Sequence, residues 1–241
     1  MKLGIMQPYF FPYIGYFELI FRTDRWIVFD VVQYHAKSWM NRNRILHPVN
    51  GWQYINVPVK KTPRDTLISD VQIIDKEAAL KRILGQLVHY KKYAPYYHEV
   101  ANLMEKTFNA VNSDRLVDLN TASLIETCKY LGIEINWSTC SRMNLDLKDI
   151  KHAGQWALRI SIQLGADEYI NPVGGKEIFI ESEWKEAGIL LKLLEPLLFK
   201  YNCSPYEFIP GLSIIDVLMW SHPEEIIRHI ENSSISHNVC V

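Results

Sequence analysis

The sequence predicts an α/β fold: a parallel sheet with flanking helices and a mainly helical segment at about 75–132, in one domain spanning 1–241. Three observations lead there. A short apolar run (Leu3 to Ile5), an apolar helix (Ile14 to Phe21) and a second continuous apolar run (Trp26 to Phe29, closed by Asp30) fit within thirty residues, the signature of a βαβ unit. A helix ending at Leu164-Gly165, then Ala166 to Pro172, then Gly174-Gly175 describes another such crossing. Between the two lies a run of helical periodicity. A chain of 241 residues that is 48% hydrophobic can bury a core of that size.

The stretch from Met6 to Tyr16 joins the first strand to the first helix. Pro8 and Pro12 fix φ and remove two backbone donors, so the strand cannot continue. Gly15 permits a close backbone approach. Tyr9, Phe10, Phe11 and Tyr13 are too many rings for a solvated turn and must pack on the core or on a ligand. Ligands of α/β sheets sit at the carboxyl ends of strands, which makes Gln7, Tyr9, Tyr13 and Tyr16 candidate binding residues.

From Val31 to Pro48 no clean periodicity is visible. The segment leaves the carboxyl end of the second strand and is expected on the same side, so Gln33, His35, Trp39, Asn41, Arg42, Asn43 and Arg44 join the candidates. The guanidinium forks suit phosphate or carboxylate, and the asparagines suit neutral polar edges. A solvated basic loop is the alternative. Trp52 to Val59 alternates as a strand with one wet face, and Thr66 to Ile74 reads as a further short strand.

Asp75 caps a helix with a stripe of Leu80, Ile83, Leu84, Leu87 and Val88. A second helix starts near Tyr97, and a third runs from about Ser113 to Gly132. In the third, Asn120 falls on a buried face, where it needs either a ligand or a partner within the protein. Ile133 to Trp137 reads as a strand, and Asp149 opens the helix that ends at Leu164. Asn171, Gly174, Gly175 and Lys176 follow a strand, a setting for close backbone approach to a phosphate or sugar. A helix at Phe179 to Ala187, a strand at Gly188 to Leu194, an extended stretch at Tyr206 to Pro210, a Ser213-capped helix from Ile214 to Trp220 and a helix from Pro223 to Glu231 complete the chain. The polar residues 232–241 are expected to fray.

The formal net charge of −1 speaks against nucleic-acid binding through a basic field. No run approaches the roughly 20 apolar residues of a membrane span. The start of the chain predicts no signal peptide, since Gln7 and Pro8 interrupt the apolar residues after Lys2. Cys128, Cys140, Cys203 and Cys240 have no paired spacing, which predicts a reducing cytoplasm and neither disulfides nor a metal site.

Four segments, Met6 to Tyr16, Asn41 to Ile45, Tyr169 to Pro172 with Gly174-Gly175, and Leu212 to Asp216, resemble the WbqC-like family. The resemblance implies a bacterial protein of O-antigen and surface-polysaccharide biosynthesis, with a glycine or aminoacyl transferase role. Gln7 to Tyr16 is also similar to the strand-1 loop of pantothenate synthetase, which implies a Rossmann-like sheet of the nucleotidyltransferase (HUP) kind. That loop carries His-x-Gly-His where this chain has Tyr13-Ile14-Gly15-Tyr16, and tyrosines stay neutral, so Arg42, Arg44 and Lys176 would supply the charge.

Together these likenesses imply a transferase or ligase. It would acylate the amino group of a nucleotide-linked amino sugar with glycine or another small amino or carboxylic acid. ATP, with Mg, would be the substrate that activates the acid as an adenylate. Asn41, Asn43 and Asn120 would orient polar groups, and Asp30 or His35 would take the amine's proton. A thioester-using acyltransferase and a nucleotide-sugar-binding protein without chemistry remain the alternatives.

Overall fold

The computed structural model describes residues 1–195, 197–232 and the backbone of 237–238. The first half of the chain forms β1 (Lys2–Met6), α1 (Ile14–Phe21), β2 (Arg25–Val28), β3 (Arg42–Leu46), β4 (Trp52–Asn56), α2 (Lys76–Leu87), α3 (Tyr97–Asn109) and α4 (Leu116–Leu131). The second half forms β5 (Trp137–Thr139), α5 (Gly154–Leu164), β6 (Glu168–Pro172), α6 (Glu181–Glu186), β7 (Leu190–Leu194), α7 (Ile214–Trp220), α8 (Pro223–Asn232) and β8 (His237–Asn238).

The main sheet runs β5-β2-β1-β6-β7-β8, with five parallel strands and an antiparallel β8 at the edge, and is Rossmann-like. The chain starts at β1, moves outward through β2 to β5, then returns to the other side of β1 with β6. The direction of winding therefore reverses between β1 and β6, where such sheets open a crevice.

Strand side chains alternate between two cores, as a sheet covered on both faces requires. Trp26, Val28, Ile170 and Leu194 join a large cluster with α1, α7 and the helices α2 to α4. Leu3, Ile5, Ile27, Tyr169 and Leu191 join a smaller one with α5 and Trp184. Gly4 lies under the Trp26 ring, since a Cβ there would stand 2.8 Å from Trp26 Cε3. Several helix ends follow the sequence signals. Asp75 accepts from the Ala78 N–H at 2.9 Å, Ser213 Oγ accepts from Ile215 N–H at 3.3 Å, and Gly132 and Gly165 close α4 and α5 at φ of 75° and 65°.

Four expectations need correction. Arg42 to Leu46 is not irregular loop but a strand paired antiparallel with β4, in a hairpin separate from the main sheet. Its buried face holds Asn43 as well as Ile45, so the polar–apolar alternation that marks a strand is absent. Thr66 to Ile74 forms no strand; it makes a 3-10 turn at Ile68–Asp70 and isolated bridges, with Ile68, Val71 and Ile73 driven into the core. β5 starts at Trp137 instead of Ile133, because Ile133 N–H closes the end of α4 on Cys128 O at 2.9 Å. α5 starts at Gly154 instead of Asp149, which sits in the left-handed region at φ 56°. The tail expected to fray lies outside the described residues apart from Asn232 and residues 237–238, which pair with β7.

Candidate functional site

A cavity of about 540 Å³ opens at the carboxyl ends of β1, β2 and β6, at the reversal of winding. Gln7, Tyr9, Tyr13 and Tyr16 line it from the β1–α1 loop, and Gln33 and His35 from the segment after β2. Asn171, Gly174 and Gly175 line it from the end of β6. The sequence reading left out the aromatic wall opposite, formed by Phe29, Trp156, Tyr169 and Phe179. Phe29 and Trp156 stand 5.7 Å apart, ring to ring. Trp156 falls on the apolar stripe of α5 and looks like a core residue. The signal that sets it apart is its place in the first turn of a helix that begins at the sheet's carboxyl edge.

Three tyrosines form the floor. Tyr9 and Tyr16 rings lie 5.2 Å apart, Tyr13 and Tyr16 rings 5.9 Å apart, and Tyr16 Oη donates to Gln7 O at 3.2 Å. Burial raises the pKa of all three, most of all fully buried Tyr16, so they act as neutral hydrogen-bonding phenols. Gly15 gives the Tyr13 ring its present place, since a Cβ would stand 2.4 Å from Tyr13 Cε2 and displace it. On the β6 side, Tyr169 Oη donates to Asn171 Oδ1 at 2.9 Å and Asn171 Nδ2 donates to Pro172 O at 2.8 Å. Gly175 leaves room for that amide, which a Cβ would meet at 2.4 Å.

The lining holds no lysine, arginine, aspartate or glutamate among the described residues; exposed His35 is its one basic group. Neutral amides, phenols and ring faces suit a polar, uncharged moiety such as a sugar or nucleoside. Backbone N–H groups at the Gly174-Gly175 turn and in the first turn of α5, whose N-cap Ala153 has no capping side chain, are the groups suited to an anion. Gly154 lets that turn pack against α5, since a Cβ would stand 2.1 Å from Ile178 O. Among the described residues no group of three His, Cys, Asp or Glu side chains is disposed to hold a metal ion.

The remaining candidate residues lie elsewhere. Asp30 is fully buried, and both its carboxylate oxygens accept from Ser141, at 2.8 Å from the N–H and 2.5 Å from the hydroxyl. It anchors the turn after β5 and is not among the residues that line the cavity. Asn120 donates to Pro8 O at 2.7 Å and Met40 O at 2.8 Å; Asn43 donates to Phe10 O at 3.0 Å and Phe11 O at 2.8 Å. Asn41 donates to Val57 O at 3.2 Å. These three amides hold backbone instead of facing a substrate. Phe11, at φ 40°, is held further by Ser213 Oγ donating to Phe11 O at 2.7 Å. Trp39, Arg42 and Arg44 sit on the β3–β4 hairpin side, outside the lining, and Lys176 is exposed beside Gly175. The expected convergence of the arginines with the aromatic loop on one pocket is therefore absent. The chain leaves the sheet after β2, and the hairpin carries the arginines with it.

The WbqC-like protein family model matches residues 7–228. An uncharacterized protein of Mycobacterium tuberculosis is 28% identical over 218 residues, covering 90% of this chain and 92% of the relative. No solved structure matches the chain. No helix among the described residues is long and apolar enough to cross a membrane.

Proposed function

Because the chain belongs to the WbqC-like protein family, we propose that its strand-end cavity binds a nucleotide-linked amino sugar and that the protein acylates the sugar's amino group. The acyl donor is glycine or another small amino or carboxylic acid, and the setting is bacterial O-antigen biosynthesis in the cytoplasm. The observation that carries this reading is the cavity itself: it opens where winding reverses, and amides, phenols and aromatic faces line it, with no lysine, arginine, aspartate or glutamate among the described residues. Such walls take a sugar or nucleoside by stacking and neutral hydrogen bonds. The phosphates then fall to the backbone N–H groups of the Gly174-Gly175 turn and the first turn of α5.

The amine must lose a proton as the amide forms. With Asp30 engaged by Ser141, that role falls to His35 at the mouth. Activation of the acid by ATP and Mg is one route. A preactivated thioester is the other, and it asks less of a site without arginines.

The test is incubation with an amino-sugar nucleotide, glycine and Mg-ATP, followed by mass spectrometry and assay of AMP. A mass gain equal to one glycyl group with AMP release supports the adenylate route. A gain that needs only a glycyl thioester supports the second route. His35→Gln is expected to lower kcat with little change in KM.

A second reading, a nucleotide-sugar-binding protein without chemistry, draws on the tyrosines that stand at Tyr13 and Tyr16. Tight binding of the sugar nucleotide with no turnover on any donor would establish it over the first.

A further inference from the structure

The outer face of the β3–β4 hairpin carries groups that the cavity does not use. Antiparallel pairing sets Arg42 opposite Asn56 and Arg44 opposite Tyr54, and side chains of directly opposed residues project from one face. The Arg44 guanidinium lies 5.2 Å from the Trp39 ring and 5.2 Å from the Trp52 ring, and that of Arg42 covers Tyr54 at 4.3 Å. Trp52 and Tyr54 are themselves in edge contact at 4.9 Å. Trp39 and Trp52 stay 38% and 41% exposed, so flat ring surface remains open to solvent.

These contacts hold the guanidinium groups beside the rings without neutralising them. Among the described residues neither arginine forms an ion pair with a carboxylate. Arg44 donates to one neutral acceptor, Gly211 O, at 3.2 Å. Two preorganised cations beside exposed tryptophans make a surface complementary to an anion with a flat apolar face.

Other features narrow what that occupant is. Both edges of the hairpin are closed to strand addition. Arg44 O accepts from Ser213 N–H and Leu46 N–H donates to Asp216 on one edge; Tyr54 O and Asn56 O accept from Gln86 and Arg82 on the other. An extended peptide has no ladder to join. A net charge of −1 with two guanidiniums that have no carboxylate partner among the described residues matches one or two negative charges, not the phosphate ladder of a nucleic acid. The face is open where small-metabolite sites are concave, which favours a chain that spreads over several contacts.

We infer that this face binds an acidic saccharide chain, its pyranose rings lying on Trp52 and Trp39 and its carboxylate or phosphate received by Arg42 and Arg44. The site is independent of the chemistry in the cavity.

The experiment titrates the full chain with an oligogalacturonide, with its fully methyl-esterified form and with an oligothymidylate of equal length. Tryptophan fluorescence and calorimetry are recorded at low and raised salt. The acidic chain is expected to bind, to weaken with salt, and to outbind the ester by about tenfold, the equivalent of one good charged contact. Trp52→Ala and Arg44→Gln are each expected to reduce its affinity by about tenfold as well. Because Trp52 is exposed, its variant should melt like the native chain; Arg42→Gln serves as the second probe if it does not. Four results would overturn the assignment: no binding of the acidic chain, equal binding of the ester, tighter binding of the oligothymidylate, or undiminished binding in the Arg42→Gln, Arg44→Gln double variant.

Discussion

The strand-end cavity and the outer face of the β3–β4 hairpin are built from opposite materials. The cavity is concave and neutral, floored by three tyrosines whose burial keeps them protonated. The hairpin face is open and cationic, with two arginines set 4.3 Å to 5.2 Å from aromatic ring centres. Residues 33 to 45 supply both, yet the two do not merge. A charged segment that leaves a strand end need not stay at the site that strand forms; the next element it joins decides where its charges go. The neutral concave surface and the cationic open one are thus two separate places on the molecule.

The sharpest way to break this division is to loosen the amides that hold the β1–α1 loop to the hairpin side. Asn120→Ala strands the carbonyls of Pro8 and Met40 in a buried setting and is expected to cost about 3 kcal/mol, read by denaturant unfolding. A loss near zero would mean the loop is held otherwise. The next largest effect is confined to the cavity. Gly154→Ala forces a methyl onto Ile178 O and is expected to cost about 2 kcal/mol and to weaken sugar-nucleotide binding, with binding on the hairpin face unchanged. If both surfaces lose affinity together, they are one site.

A smaller effect is expected from pH. Burial pushes the Glu18 carboxyl from its ordinary 4.5 to about 7, despite nearby Arg22. Between those values the folded chain holds a proton that the unfolded chain has released, so this group's contribution to stability falls as pH rises. His229, whose Nε2 lies 3.2 Å from Glu18 Oε1, is held below its ordinary 6.5 by burial and acts in the opposite direction. Glu18→Gln should therefore remove one such contribution and shrink the loss of stability as pH rises from about 4.5 towards 7, measured by unfolding at a series of pH values. Smallest of all, Arg42→Ala removes the guanidinium over the Tyr54 ring and is expected to cost up to about 1 kcal/mol, read by denaturant unfolding.

Much of the frame could be read in advance because its signals are local. Asp75, Ser213, Gly132 and Gly165 mark helix ends by their own chemistry, and the continuous run from Trp26 to Val28 marks a strand covered on both faces. The placement of Gln7, Tyr9, Tyr13 and Tyr16 beside a cavity followed from the strand-end rule. Other features depend on partners far away in the sequence. The strand at Arg42 to Leu46 was hidden because its inward residue Asn43 is polar, chosen to hold two carbonyls of a loop thirty residues earlier. The roles of Asn120 and Asp30 were hidden likewise, since backbone acceptors and a serine hydroxyl leave no pattern in the chain.

The left-handed Phe11 has a bearing on how the molecule is made. Its carbonyl is gripped by Ser213, and Pro12 O receives Ile214 N–H at 2.8 Å, so the earliest loop to leave the ribosome is locked by residues synthesised some two hundred positions later. On a growing chain Asn43 and Asn120 can hold this loop first, and the contacts from Ser213 and Ile214 to Phe11 and Pro12 close only when α7 arrives. The turn at the mouth of the cavity is accordingly completed late, and a product cut short before Ser213 would lack both these contacts and the buried α7 that packs into the main core.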